Sequence, residues 1–123
     1  MGLLYKESAN ATGTAALSLT IGPNGTGRAN TDGFPWQLLW VAFKASGAMG
    51  TNDTVTITLD SHDGATYDAL LNSDSVSAAT SYLYVPDTPI VVNHLDDLVI
   101  AVGNASKRTV GLTAQWVKVI GEA

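Results

Sequence analysis

No cysteine occurs among the 123 residues, which rules out disulfides, thiolate-ligated zinc and a cysteine nucleophile. Charge is scarce as well. Only 14% of residues are charged, against roughly 25% in an average soluble domain. Lys and Arg number 6, and the formal net charge is −5. Nucleic-acid binders need a basic stripe to displace counterions, and anionic membranes attract basic segments, so this composition argues against both partners. No apolar run approaches the ~18 residues of a membrane helix. The opening Met1-Gly2-Leu3-Leu4-Tyr5-Lys6-Glu7 lacks the basic start and apolar stretch of a secretory signal. Lys6 stands where a myristoylation pattern needs Ser or Thr. The expectation is a chain that folds in the cytoplasm of the cell that makes it.

What the chain does contain is a two-residue rhythm. Thr54-Val55-Thr56-Ile57-Thr58-Leu59-Asp60 alternates threonine with aliphatic residues. Successive side chains of a strand point to opposite faces, so Val55, Ile57 and Leu59 form an apolar face and the threonines a wet one. The same alternation recurs in Leu17–Ile21 and, along the final strand, at Val110, Leu112, Ala114 and Trp116. It falters at Val117, which reads as a bulge. Residues 36–43 are apolar on both faces, with Leu38, Trp40 and Ala42 expected on one and Leu39, Val41 and Phe43 on the other. Further strands are expected at 65–71, 81–85, Ile90–Val92 and 98–102. Gly22-Pro23-Asn24-Gly25-Thr26-Gly27, Asp63-Gly64, Pro86-Asp87-Thr88-Pro89 and Gly103-Asn104 supply turn chemistry between them, and 72–80 reads as a small-residue loop.

About eight strands with turns near every eight to twelve residues fit an all-β protein, an antiparallel β-sandwich, in its jelly-roll form. The immunoglobulin-like sandwich is the rival, and it would usually show seven strands. One domain is expected: an N-terminal arm or edge segment over residues 1–13, then the sandwich over 14–123.

Chemistry-bearing residues are sparse. Asp60-Ser61-His62-Asp63-Gly64, with Asp68 beyond, gathers oxygen and imidazole donors, yet it lacks the glutamate and the spacing of a calcium loop and reads as a hairpin turn. His94 beside Asp96 and Asp97 could hold a metal but reads first as a solvated turn. No nucleophile elbow, P-loop or facing carboxylate pair is visible. Four sequons, at Asn10, Asn24, Asn52 and Asn104, follow from a Thr/Ser/Asn-rich composition. No catalytic residue, metal ligand or cofactor is therefore expected. The aromatics are more informative. Phe34-Pro35-Trp36 closes a long loop, and Trp40 sits on a strand apolar on both sides. Antiparallel sheets normally keep their second face polar, and tryptophan is a favoured interface anchor. Leu3, Leu4, Tyr5, Phe34, Pro35, Trp36 and Trp40 are therefore the expected protein-interface residues, one tryptophan of the pair being a core candidate.

Thr54–Asp60, Asp63-Gly64-Ala65-Thr66-Tyr67-Asp68, Tyr82-Leu83-Tyr84-Val85-Pro86, Leu95-Asp96-Asp97-Leu98-Val99-Ile100 and Thr109-Val110-Gly111-Leu112-Thr113 together resemble the jelly-roll decoration, or cement, proteins of tailed-bacteriophage heads. The likeness covers about the C-terminal two thirds. It implies a structural virion protein without catalytic residues, made in the host cytoplasm and bound to the capsid exterior. Its partners would be the major capsid protein and further copies of itself, as dimers or trimers. The first dozen residues would then be an arm across a neighbour. The alternative is a carbohydrate- or receptor-binding β-sandwich of a phage tail or virion, with Trp36, Tyr82 or Tyr84 stacking on sugar rings.

Overall fold

A computed structural model describes residues 3–22, 35–50, 53–60, 68–92, 96–105 and 107–120, with side chains throughout except at 3–7 and 118–120. Every regular element among them is a strand: β1 (Leu3–Gly13), β2 (Leu17–Ile21), β3 (Trp36–Ala45), β4 (Thr54–Asp60), β5 (Ala69–Ser75), β6 (Ser81–Tyr84), β7 (Ile90–Val92), β8 (Asp97–Val102) and β9 (Val110–Ile120). They form two antiparallel sheets. In the first, the order is β1-β9-β3-β6, with β7 also on β3; in the second it is β2-β8-β4-β5. The pairs nest, β1 with β9, β2 with β8, β3 with β6 and β7, and β4 with β5.

The alternation explains the packing. Leu19 and Ile21 of β2, Val55 and Ile57 of β4, and Leu98, Ile100 and Val102 of β8 are buried on the inner face of the second sheet. They join Val110, Leu112, Ala114 and Trp116 of β9 and Trp36, Leu38, Val41 and Phe43 of β3 in one core cluster. This is a β-sandwich. Trp36 and Trp116 are its largest buried side chains; their ring centroids lie 5.7 Å apart at a tilt of 55°, a geometry aromatic pairs favour.

Both faces of β3 are apolar, and the expected division between them is corrected by a bulge. The register against β9 runs Leu38↔Trp116 and then Trp40↔Gln115, skipping Leu39. An extra residue in one strand breaks the two-residue period. Leu38 and Val41 therefore both face the core, while Leu39 and Trp40 between them are half-buried. The irregularity expected at Val117 lies instead on the partner strand, since β9 pairs through Val117 with β1 without a shift.

The fifth strand also differs from expectation. It occupies Ala69–Ser75, later than 65–71 and inside the segment read as a loop; residues 61–67, with His62, lie outside the described set, as does His94. Asn72 and Asp74 stand opposite Ile57 and Val55, at positions where a pattern reading wants apolar side chains. Ladder hydrogen bonds to β4 hold the strand regardless of that polarity. A second bulge, between Ile57 and Thr58, turns Leu70 outward to 62% exposure.

At one end of the sandwich two buried polar residues organise the loops. The Asp53 carboxylate accepts from the Gly50 and Ala105 backbone N–H groups at 3.0 and 2.8 Å. Asn104, held at φ 52°, donates to the Ala15 and Arg108 carbonyl oxygens and accepts from the Arg108 N–H. Buried polar groups persist when hydrogen-bonded in this way.

Candidate protein-binding face

The outer face of the first sheet is set by register, because directly opposed residues share a face. One row runs Asn10, Thr113, Ala42, Leu83 across β1, β9, β3 and β6. The next is Ser8, Gln115, Trp40. A third continues through Val117 and Gln37 to Val91 of β7. The charges of this face stand at its margins: Lys6 of β1 is opposite Val117, and exposed Lys44 of β3 is opposite Gly111 and Ser81. Leu83 is 63% exposed and Val91 61%, and Val85 just beyond β6 is 59% exposed. Trp40 lies between them, and its indole Nε1 donates to Gln115 Oε1 at 3.1 Å, which fixes the ring against the sheet.

The bulge also shapes a groove. β6 pairs with residues 41–44 of β3 and β7 with 36–38, so the connection between them spans the bulged segment. Val85, Pro86, Asp87 and Pro89 of that connection, with Gln37, Leu38 and Leu39 of β3, line a cavity of about 250 Å³. Proline offers no backbone N–H, so Pro86 and Pro89 donate no ladder hydrogen bond there.

The second sheet is different outside. Ser18, Thr54, Thr56 and Ala101 are small and leave a shallow trough of about 420 Å³ between Leu17, Val102 and Gly103. At the edge where the two sheets end on β5 and β6, the Tyr82 hydroxyl donates to Asp74 Oδ2, and Asn72 Nδ2 donates to Asp74 at 2.9 Å and to the Tyr82 oxygen at 3.1 Å. The carboxylate is held below its ordinary range, first by the Tyr82 hydrogen bond and then by Asn72. Burial, and then the bond to Asp74, push the phenol up to about 12.

The residues expected at an interface separate into groups. Trp40 lies on the outer face. Trp36 does not: it is 1% exposed and packed on Trp116, because it precedes the bulge in phase with Leu38. It reaches neither a partner nor a sugar, and an interface role for it is corrected to a core one. Pro35 is exposed and Phe34 lies outside the described residues. Leu3, Leu4 and Tyr5 stand in β1, opposite Ile120, Val119 and Lys118, so the N-terminal segment is an edge strand of this sandwich rather than an arm detached from it. Tyr82 and Tyr84 pair with Phe43 and Val41 and so share the core side of the sheet, not a stacking platform. Leu83, Val85 and Val91 were missed. Leu83 and Val91 alternate with inward neighbours in short strands, and only strand order reveals that they extend the Trp40 face.

Neither the models of known protein families nor the curated proteins gave a match to this chain.

Proposed function

We propose that this chain is a structural, protein-binding β-sandwich: a decoration protein that clamps the outside of a tailed-phage head at capsomer junctions by docking the outer face of its first sheet onto the major capsid protein. The observation that carries this reading is that face. An antiparallel sheet normally turns a polar side to water, whereas this one presents Leu83, Val91, Val85 and Trp40 between the rows of Lys6 and Lys44. Contiguous exposed apolar surface marks interaction sites. The nested strand pairs are those of a long hairpin rolled into two sheets, which supports the jelly-roll form and with it the likeness to decoration proteins.

Mass action supplies the clamp. A protein that binds the expanded lattice but not its ruptured form stabilises the former, and an ordinary interface of about 1,200–2,000 Å² per copy suffices. The test is co-sedimentation with purified heads before and after expansion. Wild type is expected to bind expanded heads and raise the temperature at which they rupture. The double variant Leu83→Lys/Val91→Lys is expected to lose both effects with an unchanged circular dichroism spectrum. Equal binding by wild type and double variant would overturn the docking face, and absence of the protein from virions would overturn the function.

A further inference from the structure

We propose that two copies of this chain pair edge to edge through β1, antiparallel and centred on Ser8, so that the first sheet runs on from one protomer into its partner. An exposed strand edge is a template for another chain, and proteins guard such edges with short strands, bulges, charges or proline. The other edges here carry those guards. β2 has 5 residues. β5 bears Asp74 and a bulge in its pairing. β6 and β7 have 4 and 3 residues and are separated by a connection containing Pro86 and Pro89. β1 is the least guarded: 11 residues long, without proline, paired on β9 without a register shift, with its two charges adjacent at Lys6 and Glu7 and none from Ser8 to Gly13, and with no described strand along its other side.

The sequence of β1 selects the register. Residues 8, 10 and 12 of β1 stand opposite Gln115, Thr113 and Gly111 on the outer face, and 9 and 11 opposite buried Ala114 and Leu112. If the outer faces of two sandwiches are to align, an outer position must meet an outer position. The two-fold axis then passes through a residue, not between two. An axis at Lys6 or at Glu7 sets like charges directly opposite, which is unfavourable. An axis at Ser8 engages all of Leu3–Gly13, with Lys6 opposite the partner's Asn10 and Glu7 opposite the partner's Ala9. The small residues Ser8, Ala9 and Ala11 let the strands approach. The dimer would also double the outer face that carries Trp40, Leu83 and Val91, although the pairing stands whether or not that face binds a capsid.

The chain's lack of cysteine makes the test direct. Under mild oxidation the Ser8→Cys protein is expected to cross-link into disulfide dimers, while Asn10→Cys and Thr12→Cys, opposite the partner's Lys6 and Leu4, stay largely uncross-linked. Sedimentation of the cysteine-free wild type is expected to show a monomer–dimer equilibrium. Ser8→Lys, which sets two like charges at the axis, is expected to weaken it by about two- to fivefold with an unchanged far-ultraviolet spectrum. Leu83→Lys/Val91→Lys is expected to dimerise normally, which separates this proposal from the docking face. A wild type that is monomeric throughout a concentration series, a Ser8→Lys protein as dimeric as wild type, or cross-linking no better at position 8 than at 10 and 12, would each overturn it.

Discussion

The hydroxyl of Tyr82 on β6 donates to the carboxylate of Asp74 on β5, joining the two sheets where the sandwich would otherwise be open at its edge. The bond carries a pH signature with two signs. Asp74 has its proton affinity depressed in the folded protein. Its contribution is therefore present above the unfolded value of 3.8 and fades as pH falls through the lower folded value. Tyr82 is raised from 10.0 to about 12. Its contribution is present below 10 and is lost as pH rises from there toward 12. Spectrophotometric titration of the 4 tyrosines is expected to show one ionising late. In Tyr82→Phe that late step disappears, and the loss of stability relative to wild type shrinks at both pH extremes.

Trp36 anchors the core from the strand that carries the bulge. Trp36→Ala removes a 1%-exposed side chain and its contact with Trp116, and is expected to cost about 3–5 kcal/mol, read by urea denaturation. Trp36→Phe retains an aromatic partner for Trp116 and is expected to cost less. Because the indole Nε1 of Trp36 has no hydrogen-bond partner among the described residues, the phenylalanine variant gives up no polar contact to them.

Gly22 ends β2 at φ 147°, a conformation that side chains disfavour. A Cβ there would fall on Asp97 Oδ1 and lie 2.8 Å from the Asp96 carbonyl oxygen. Gly22→Ala is expected to destabilise by more than about 1 kcal/mol, with a lowered melting temperature and a spectrum still dominated by strands.

The loop end depends on Asp53 and Asn104. Asp53→Ala leaves the Gly50 and Ala105 N–H groups without the acceptor they now share and is expected to cost about 1–3 kcal/mol. Asn104→Gly tolerates the φ of 52° but loses all three side-chain hydrogen bonds. It should therefore fall between wild type and Asn104→Ala, which meets both penalties. Chemical denaturation of the three variants orders them.

Much of this architecture is written locally. Where one face is buried and the other wet, as in Thr54–Asp60, alternation alone yields the strand, the face it turns inward and its core residues, since a one-residue slip would expose every aliphatic side chain. Leu17–Ile21 and the final strand were legible for the same reason. Legibility failed where both faces are apolar or both polar. In residues 36–43 the pattern has no contrast, so the skip at Leu39, which turns Trp36 to the core and leaves Trp40 outside, comes from the match to Gln115 and Trp116, about eighty residues away. In Ala69–Ser75 polar residues face inward because β5 lies at the sheet edge, where Asn72 and Asp74 meet Tyr82. The candidate binding face is of the same kind. Composition and period determined that this protein is built of strands with a cysteine-free, weakly charged surface. Which of its apolar side chains stay outside was decided only when β6 and β7 docked on one edge of β3, because exposure is a property of neighbours in space and not of neighbours along the chain.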